Sequence, residues 1–341
     1  MRHAMPRTIT TLHSLRFVFV FLVFLSHLPS GFVVGGVCGV SLFFVLSGFV
    51  LSEGYGERLR NGSFVWRKFF VRRLMRVWPL HLTGALLFMA VYRRHLSAAD
   101  WPFDVCNILL LQSWIPLHDC YFSLNGVSWF VSSILPAYAL FPLLWRAVHG
   151  FPLRRVLCAA AAVVCAYVAI VAFLPDTATE AWLYVFPPVR LLDFTLGIVT
   201  HRVYALLRSS GGLKRASLWQ WLPVVLLATN VAMSPLLPER FFYVAQFWPT
   251  AVATVLIFAL ADDGGGVLVR WLHTRWMVWL GGISFEFYML HKLLMECVVY
   301  MFFRLCPAAP SWLQYAAAFF LILPLCWAVK RALSALARQT L

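Results

Sequence analysis

Arg16 and His27 are the first residues of this chain that could do chemistry. They lie in LRFVFVFLVFLSHLP, residues 15–29, an otherwise almost wholly apolar run. Eleven helical residues make three turns plus about 20°, so both side chains leave one helix face, roughly 16 Å apart along the axis. Ionisable groups in such a run face a bundle interior or a water-filled cavity, because exposure to lipid is costly. Imidazole is the side chain best suited to take a proton near neutral pH. A plainer reading stands beside this one: Arg16 as a topology anchor, and His27 as a neutral core histidine bonded to a carbonyl.

Other stretches repeat the pattern. VSLFFVLSGFVLS (40–52) sets Ser41, Gly48 and Ser52 on one helical face, where small residues let a helix or a ligand approach closely. In VRLLDFTLGIVTHR, Arg190, Asp193, Gly197 and His201 share a face, and Arg190 and Asp193 could simply neutralise each other. In ISFEFYMLHK, Ser284, Tyr288 and His291 share a face while Glu286 points elsewhere. ERLRNGSFVWRKFFVRRLMRVWP (57–79) interleaves basic and aromatic residues. Arg72, Arg73 and Arg76 suit phosphate, Trp78 suits a flat ring, and residues 64–77 read as a helix lying on the membrane surface.

Composition fixes the setting for these groups. Of 341 residues, 62% are hydrophobic and 12% charged, and the mean hydropathy is +0.81. A soluble domain carries about 25% charged residues. The chain therefore reads as an all-α polytopic membrane protein, a single integral membrane domain over 1–341. About ten transmembrane helices are expected, at 15–34, 37–54, 77–92, 129–147, 155–174, 184–204, 218–236, 241–261, 279–304 and 312–331. Residues 101–115 are short for a crossing and read as a re-entrant or interfacial segment. With that segment kept from crossing, of the 28 basic residues only Arg93, Arg94, Arg240 and Arg304 fall outside, while Arg16, Arg190 and Lys292 lie within spans. Both termini are then cytoplasmic. The basic N-terminus leads into an uncleaved first span, and the +15 charge reads as positive-inside bias, not as nucleic-acid binding. The eight cysteines form no CxxC pair, so no metal site is expected, although Cys106 and Cys120 could meet in an outer loop. No GxGxxG or Walker loop supports a nucleotide hydrolase.

Five motifs in order resemble the acyltransferase-3 family of membrane O-acyltransferases, which modify bacterial surface glycans. Arg16 with His27 resembles the family's first-span signature, and FFVLSGFVLS its second-span motif. RRLMRVWPLH, RLLDFTLG and GGISFEFYMLH resemble three later motifs, with Asp193 where the family has glutamate. One motif departs: in SWFVSSILPAYALFPLL, Trp129, Ser132 and Tyr138 match, but Ile134 stands at a glutamate position.

The resemblance implies transfer of an acyl group from a cytoplasmic acyl-CoA, acetyl-CoA above all, to a hydroxyl of a glycan or glycolipid at the bacterial inner membrane. His27 is then the general base, with Asp193 as a substitute orienting carboxylate. Ser132, Tyr288 and amides near Gly48 are candidate oxyanion donors. Arg16, Arg72, Arg73, Arg76, Trp78, Arg190, Ser47, Gly48 and His291 are assigned to the donor. No metal is implied; membrane lipids are the other expected partner. A proton-coupled transporter using His27, Arg190, Asp193 and His291, and a non-catalytic binder of acyl-CoA or lipid, are the competing readings.

Overall fold

The computed structural model describes residues 8–29, 31–92, 100–212, 215–243 and 245–339. The longer helices are α1 (Thr10–Ser26), α2 (Val33–Arg60), α3 (Trp66–Tyr92), α4 (Trp101–Ile108), α5 (Trp129–Gly150), α6 (Leu153–Phe173), α7 (Pro187–Ser209), α8 (Leu222–Met233), α9 (Trp248–Leu260), α10 (Arg275–Leu305) and α11 (Ser311–Gln339). No strand occurs among the described residues. Large apolar side chains such as Phe173, Phe303, Trp312 and Phe320 stand exposed on the outside. Lipid, not water, is the solvent that such a surface suits.

By length and apolarity, five of the described helical segments can cross a membrane: α2, α3, α5 with the turn before it, α6 and most of α11. A sixth arises if Asp176–Val185 and α7, bent by 49° at Pro187, count as one. The expected ten are thus not all met, for local reasons. The 15–34 span stops early: α1 ends at Ser26, His27 caps it, and Gly31 turns the chain at φ +62° before α2 begins at Val33. In α8 and α9 the helical runs are 12 and 13 residues: a 3-10 turn holding Pro235 follows α8, and Pro249 stands in the first turn of α9 just after another. α10 is long enough at 31 residues, but Glu286, Lys292 and Glu296 interrupt its apolarity.

Two further expectations change. Residues 64–77 do not form a separate surface helix; α3 runs unbroken from Trp66 through Pro79 to Tyr92. Trp66 ties its start to α5 by donating from Nε1 to the Ala139 carbonyl at 2.9 Å. In the 101–115 segment α4 has only eight residues, short of a crossing, and the chain turns at Leu110, φ +59°. Trp78 Nε1 donates to the Ile108 carbonyl and the His81 ring meets the Asn107 carbonyl at 2.9 Å, which fastens the segment to α3. The Cys106 and Cys120 thiols touch there and are unbridged; burial, aided by Cys106, pushes the Cys120 thiol up to about 12.

Two apolar cores share α1 and α2. One gathers Phe17, Phe24, Phe44, Phe141 and Phe287, and the other Phe19, Leu46, Phe49, Phe247 and Phe258. α2 also crosses α7 at near contact. A Cβ on Gly48 would lie 2.0 Å from the Phe194 carbonyl oxygen, and one on Gly197 would lie 2.0 Å from that of Val45. Reciprocal glycines let the two backbones touch, as small residues do between membrane helices.

Candidate active site

Five helices enclose a cavity of about 100 Å³. Arg16 comes from α1, Ser47 from α2, Arg73 and Arg76 from α3, Ile134 and Tyr138 from α5, and Ser284 and Tyr288 from α10. Among the described residues three guanidiniums line it, and no carboxylate does. Arg73 and Arg76 lie close enough for their charge to act on Arg16. Like charges gathered in a partly buried space call for an anion, and a guanidinium fork fits phosphate or carboxylate. The cavity thus gathers Arg16, Ser47, Arg73, Arg76 and Tyr288 of the residues singled out by sequence.

Its inner end is closed by three rings. Phe43, Phe130 and Tyr288 pack with centroids 6.0, 6.1 and 5.2 Å apart, and the Tyr288 hydroxyl donates to the Val127 carbonyl at 3.0 Å. Beyond Tyr288 lies His291, at 6.1 Å between centroids, and beyond His291 lies His27, at 5.1 Å. His27 therefore is not among the residues that line the arginine cavity.

The geometry of His27 suits a base. Its Nδ1 lies 2.8 Å from the Val23 carbonyl. A carbonyl only accepts, so Nδ1 carries the proton and a neutral ring keeps Nε2 as a bare acceptor. His291 repeats the arrangement, with Nδ1 at 2.8 Å from the Tyr288 carbonyl and 3.2 Å from that of Phe287. Lys292 and Glu296 are the charged side chains whose fields reach His27. Tyr92 donates a hydrogen bond to Glu296. Sequence reasoning passed over Glu296 and gave Lys292 no role. The signal was available, since both lie within five residues of His291 on one helix.

The remaining residues have other neighbours. Arg190 and Asp193 are fully buried and 2.7 Å apart. Arg190 also donates to the Tyr184 carbonyl at 2.5 Å and the Tyr243 carbonyl at 3.1 Å. The second Asp193 oxygen accepts from Trp248 Nε1. That pair ties α7 to α9 and its charges are spent on each other. Ser132 Oγ donates to the Leu110 carbonyl at 2.8 Å, which pins the re-entrant segment to α5. Gly48 belongs to the α2–α7 crossing, Trp78 is held by Ile108, and Arg72 points to the exterior.

Comparison with known proteins decides the family. The acyltransferase-3 family, described as an acyltransferase domain, matches residues 9–331. This chain is a member of that family. An acyltransferase, MdmB of Streptomyces mycarofaciens, is 33% identical over 277 residues, covering 75% of this chain and 67% of its own. A shorter match is protein 2 in the picA locus of Rhizobium radiobacter, 45% identical over 53 residues, 16% of this chain and 27% of its own. No solved structure matches.

Within this acyltransferase family the departure at Ile134 acquires a place. Its side chain is 2% exposed and forms part of the cavity wall beside the arginines. A glutamate there would face Arg16, Arg73 and Arg76. Isoleucine leaves their charge uncompensated from that side.

Proposed function

We propose that the protein is a membrane O-acyltransferase that moves an acyl group, acetyl in the first instance, from a cytoplasmic acyl-CoA to a hydroxyl of a glycan or glycolipid. The arginine cavity without a carboxylate is the observation that carries this reading. The phosphates of coenzyme A are anions of the kind the cavity calls for, and Arg16, Arg73 and Arg76 are their ligands. At about 100 Å³ the cavity is smaller than a typical ligand pocket of about 300–1,000 Å³. The head of the donor therefore sits at the mouth, and the thioester arm enters past Tyr288.

The chemistry follows from the residues beyond the rings. His27 Nε2 takes the proton of the acceptor hydroxyl as its oxygen attacks the thioester carbonyl, a contribution of typically ~10²–10⁴-fold. The oxyanion forms near Lys292, a cation whose field reaches His27, and collapses with loss of the thiolate, which takes the proton from His27. Asp193 and Arg190 hold the scaffold in this account, as does Ser132. The bilayer arrangement that fits is the bacterial inner membrane with both termini cytoplasmic and about ten passes, α1, α8, α9 and α10 being the crossings that apolarity alone does not mark.

The test is acyl transfer by the purified protein in nanodiscs, with radiolabelled acetyl-CoA and a surface-glycan extract. Label should enter the glycan with wild type and fall by at least about 100-fold in His27→Ala. A non-catalytic binder is the second reading, favoured by Ile134 at the glutamate position. Binding of CoA that depends on Arg73 and Arg76, with no labelled product, would establish it instead. Flux of a solute with no transfer would establish a transporter.

A further inference from the structure

His291 is wholly buried, and its Nε2 has no hydrogen-bond partner among the described residues. A buried ring nitrogen without a donor is costly. Its Nδ1 is committed to the Phe287 and Tyr288 carbonyls, so the bare lone pair is on Nε2. The neighbouring ring at 5.1 Å, inclined at 76°, is His27, whose Nδ1 is likewise committed to a carbonyl. The two imidazoles lie edge to face, each with Nδ1 committed to a carbonyl. Neither can satisfy the other until one gains a proton.

We infer that His27 and His291 form a paired acceptor site for a substrate hydroxyl, with His291 the positioning residue that steadies His27 once His27 has taken the proton. The inference rests on the reading of His27 as base. The hydroxyl O–H bond breaks, an O–C bond forms at the acyl carbon, and the proton moves to His27 Nε2. That new N–H is held by the His291 lone pair. When the C–S bond breaks, the thiolate removes the proton and the pair returns to its neutral form. His291 ends each turnover unchanged.

The groups facing the pair are few. Lys292 and Glu296 from α10 act on His27, and Lys292 acts on His291. Phe24 from α1 and Phe287 from α10 cover the His291 ring, with centroids at 6.2 and 5.9 Å. An aromatic replacement therefore fits the His291 site, and His291→Phe removes the lone pair while keeping the stack.

The sign of the effect is set. A lone pair that accepts from protonated His27 stabilises that form, so its removal lets His27 lose its proton at lower pH. In His291→Phe the acidic limb of kcat/KM should move about half to one pH unit lower. kcat should fall ~10- to 100-fold, part of the general-base contribution, while KM for acetyl-CoA holds. His291→Gln, which restores an acceptor oxygen, should recover part of both. The ring titration of 15N-labelled His27 in nanodiscs, read without substrate, should move in the same direction. An unmoved titration in a folded His291→Phe protein overturns the pairing, even if transfer is active. A titration that moves in His291→Phe, while wild type transfers no acyl group, keeps the pairing and removes the acyltransferase reading instead.

Discussion

Ile134 stands where the motif this sequence resembles has glutamate, and it shapes what the cavity wall offers three arginines. Ile134→Glu places a carboxylate within the guanidinium set, where a charge-assisted hydrogen bond contributes about 1.5–3 kcal/mol. The introduced anion then competes with the donor's phosphates, and KM for acetyl-CoA should rise about tenfold or more. Calorimetric titration with CoA checks this apart from turnover. Asp193 shows the opposite situation. Its oxygens are both engaged by Arg190 and Trp248, so Asp193→Asn leaves a buried guanidinium unpaired at a cost of about 3–5 kcal/mol. The variant should lose its sharp melting transition in detergent, and any folded remainder should keep its KM. The i, i+3 spacing of Arg190 and Asp193 made the pair legible in the sequence. Trp248, 55 positions on, was not, because only the packing of α9 on α7 brings it there.

Helices carried most of their message in hydropathy, and lost it where tertiary contacts set the ends. The crossing cores of α2, α5, α6 and α11 fall within or beside the expected spans. α3 differs because seven basic residues between 57 and 79 suggested a surface helix, whereas Trp66 and Trp78 find carbonyl partners on α5 and α4 and the helix of the expected 77–92 span starts back at Trp66. Gly48 and Gly197 were each visible as small residues on helical faces. That they face one another could not be read, since no spacing rule links helices 150 residues apart. Gly48→Ala puts a methyl 2.0 Å from a backbone oxygen that has no freedom to move, so α2 and α7 must spread. Overpacking of this kind costs about 1–3 kcal/mol, and pairing it with Gly197→Ala should give less than the sum because one separation relieves both clashes. Thermal melting of the two single variants and the double variant measures it. In the loop between α4 and α5, Cys120 should stay unmodified by maleimide at pH 8, since a thiol pushed up to about 12 holds almost no thiolate there.

At the scale of the whole molecule the arginine cavity and the His27–His291 pair are separate places, and the sidedness proposed for them is open to direct measurement. Cys306, exposed just after α10, should react with a membrane-impermeant maleimide in intact cells. A cysteine introduced at Asn61, just after α2, should react only once the membrane is permeabilised. The reverse pattern would turn the protein over in the bilayer and put the arginine cavity on the wrong side for cytoplasmic acyl-CoA. Between the two ends stand Phe43, Phe130 and Tyr288, packed ring against ring. An apolar constriction of this kind excludes a continuous file of water. A protein that takes cargo from one compartment and delivers it to another must avoid short-circuiting the proton gradient. On the proposed reading, the three side chains that would part donor from base would also keep the membrane electrically tight between turnovers.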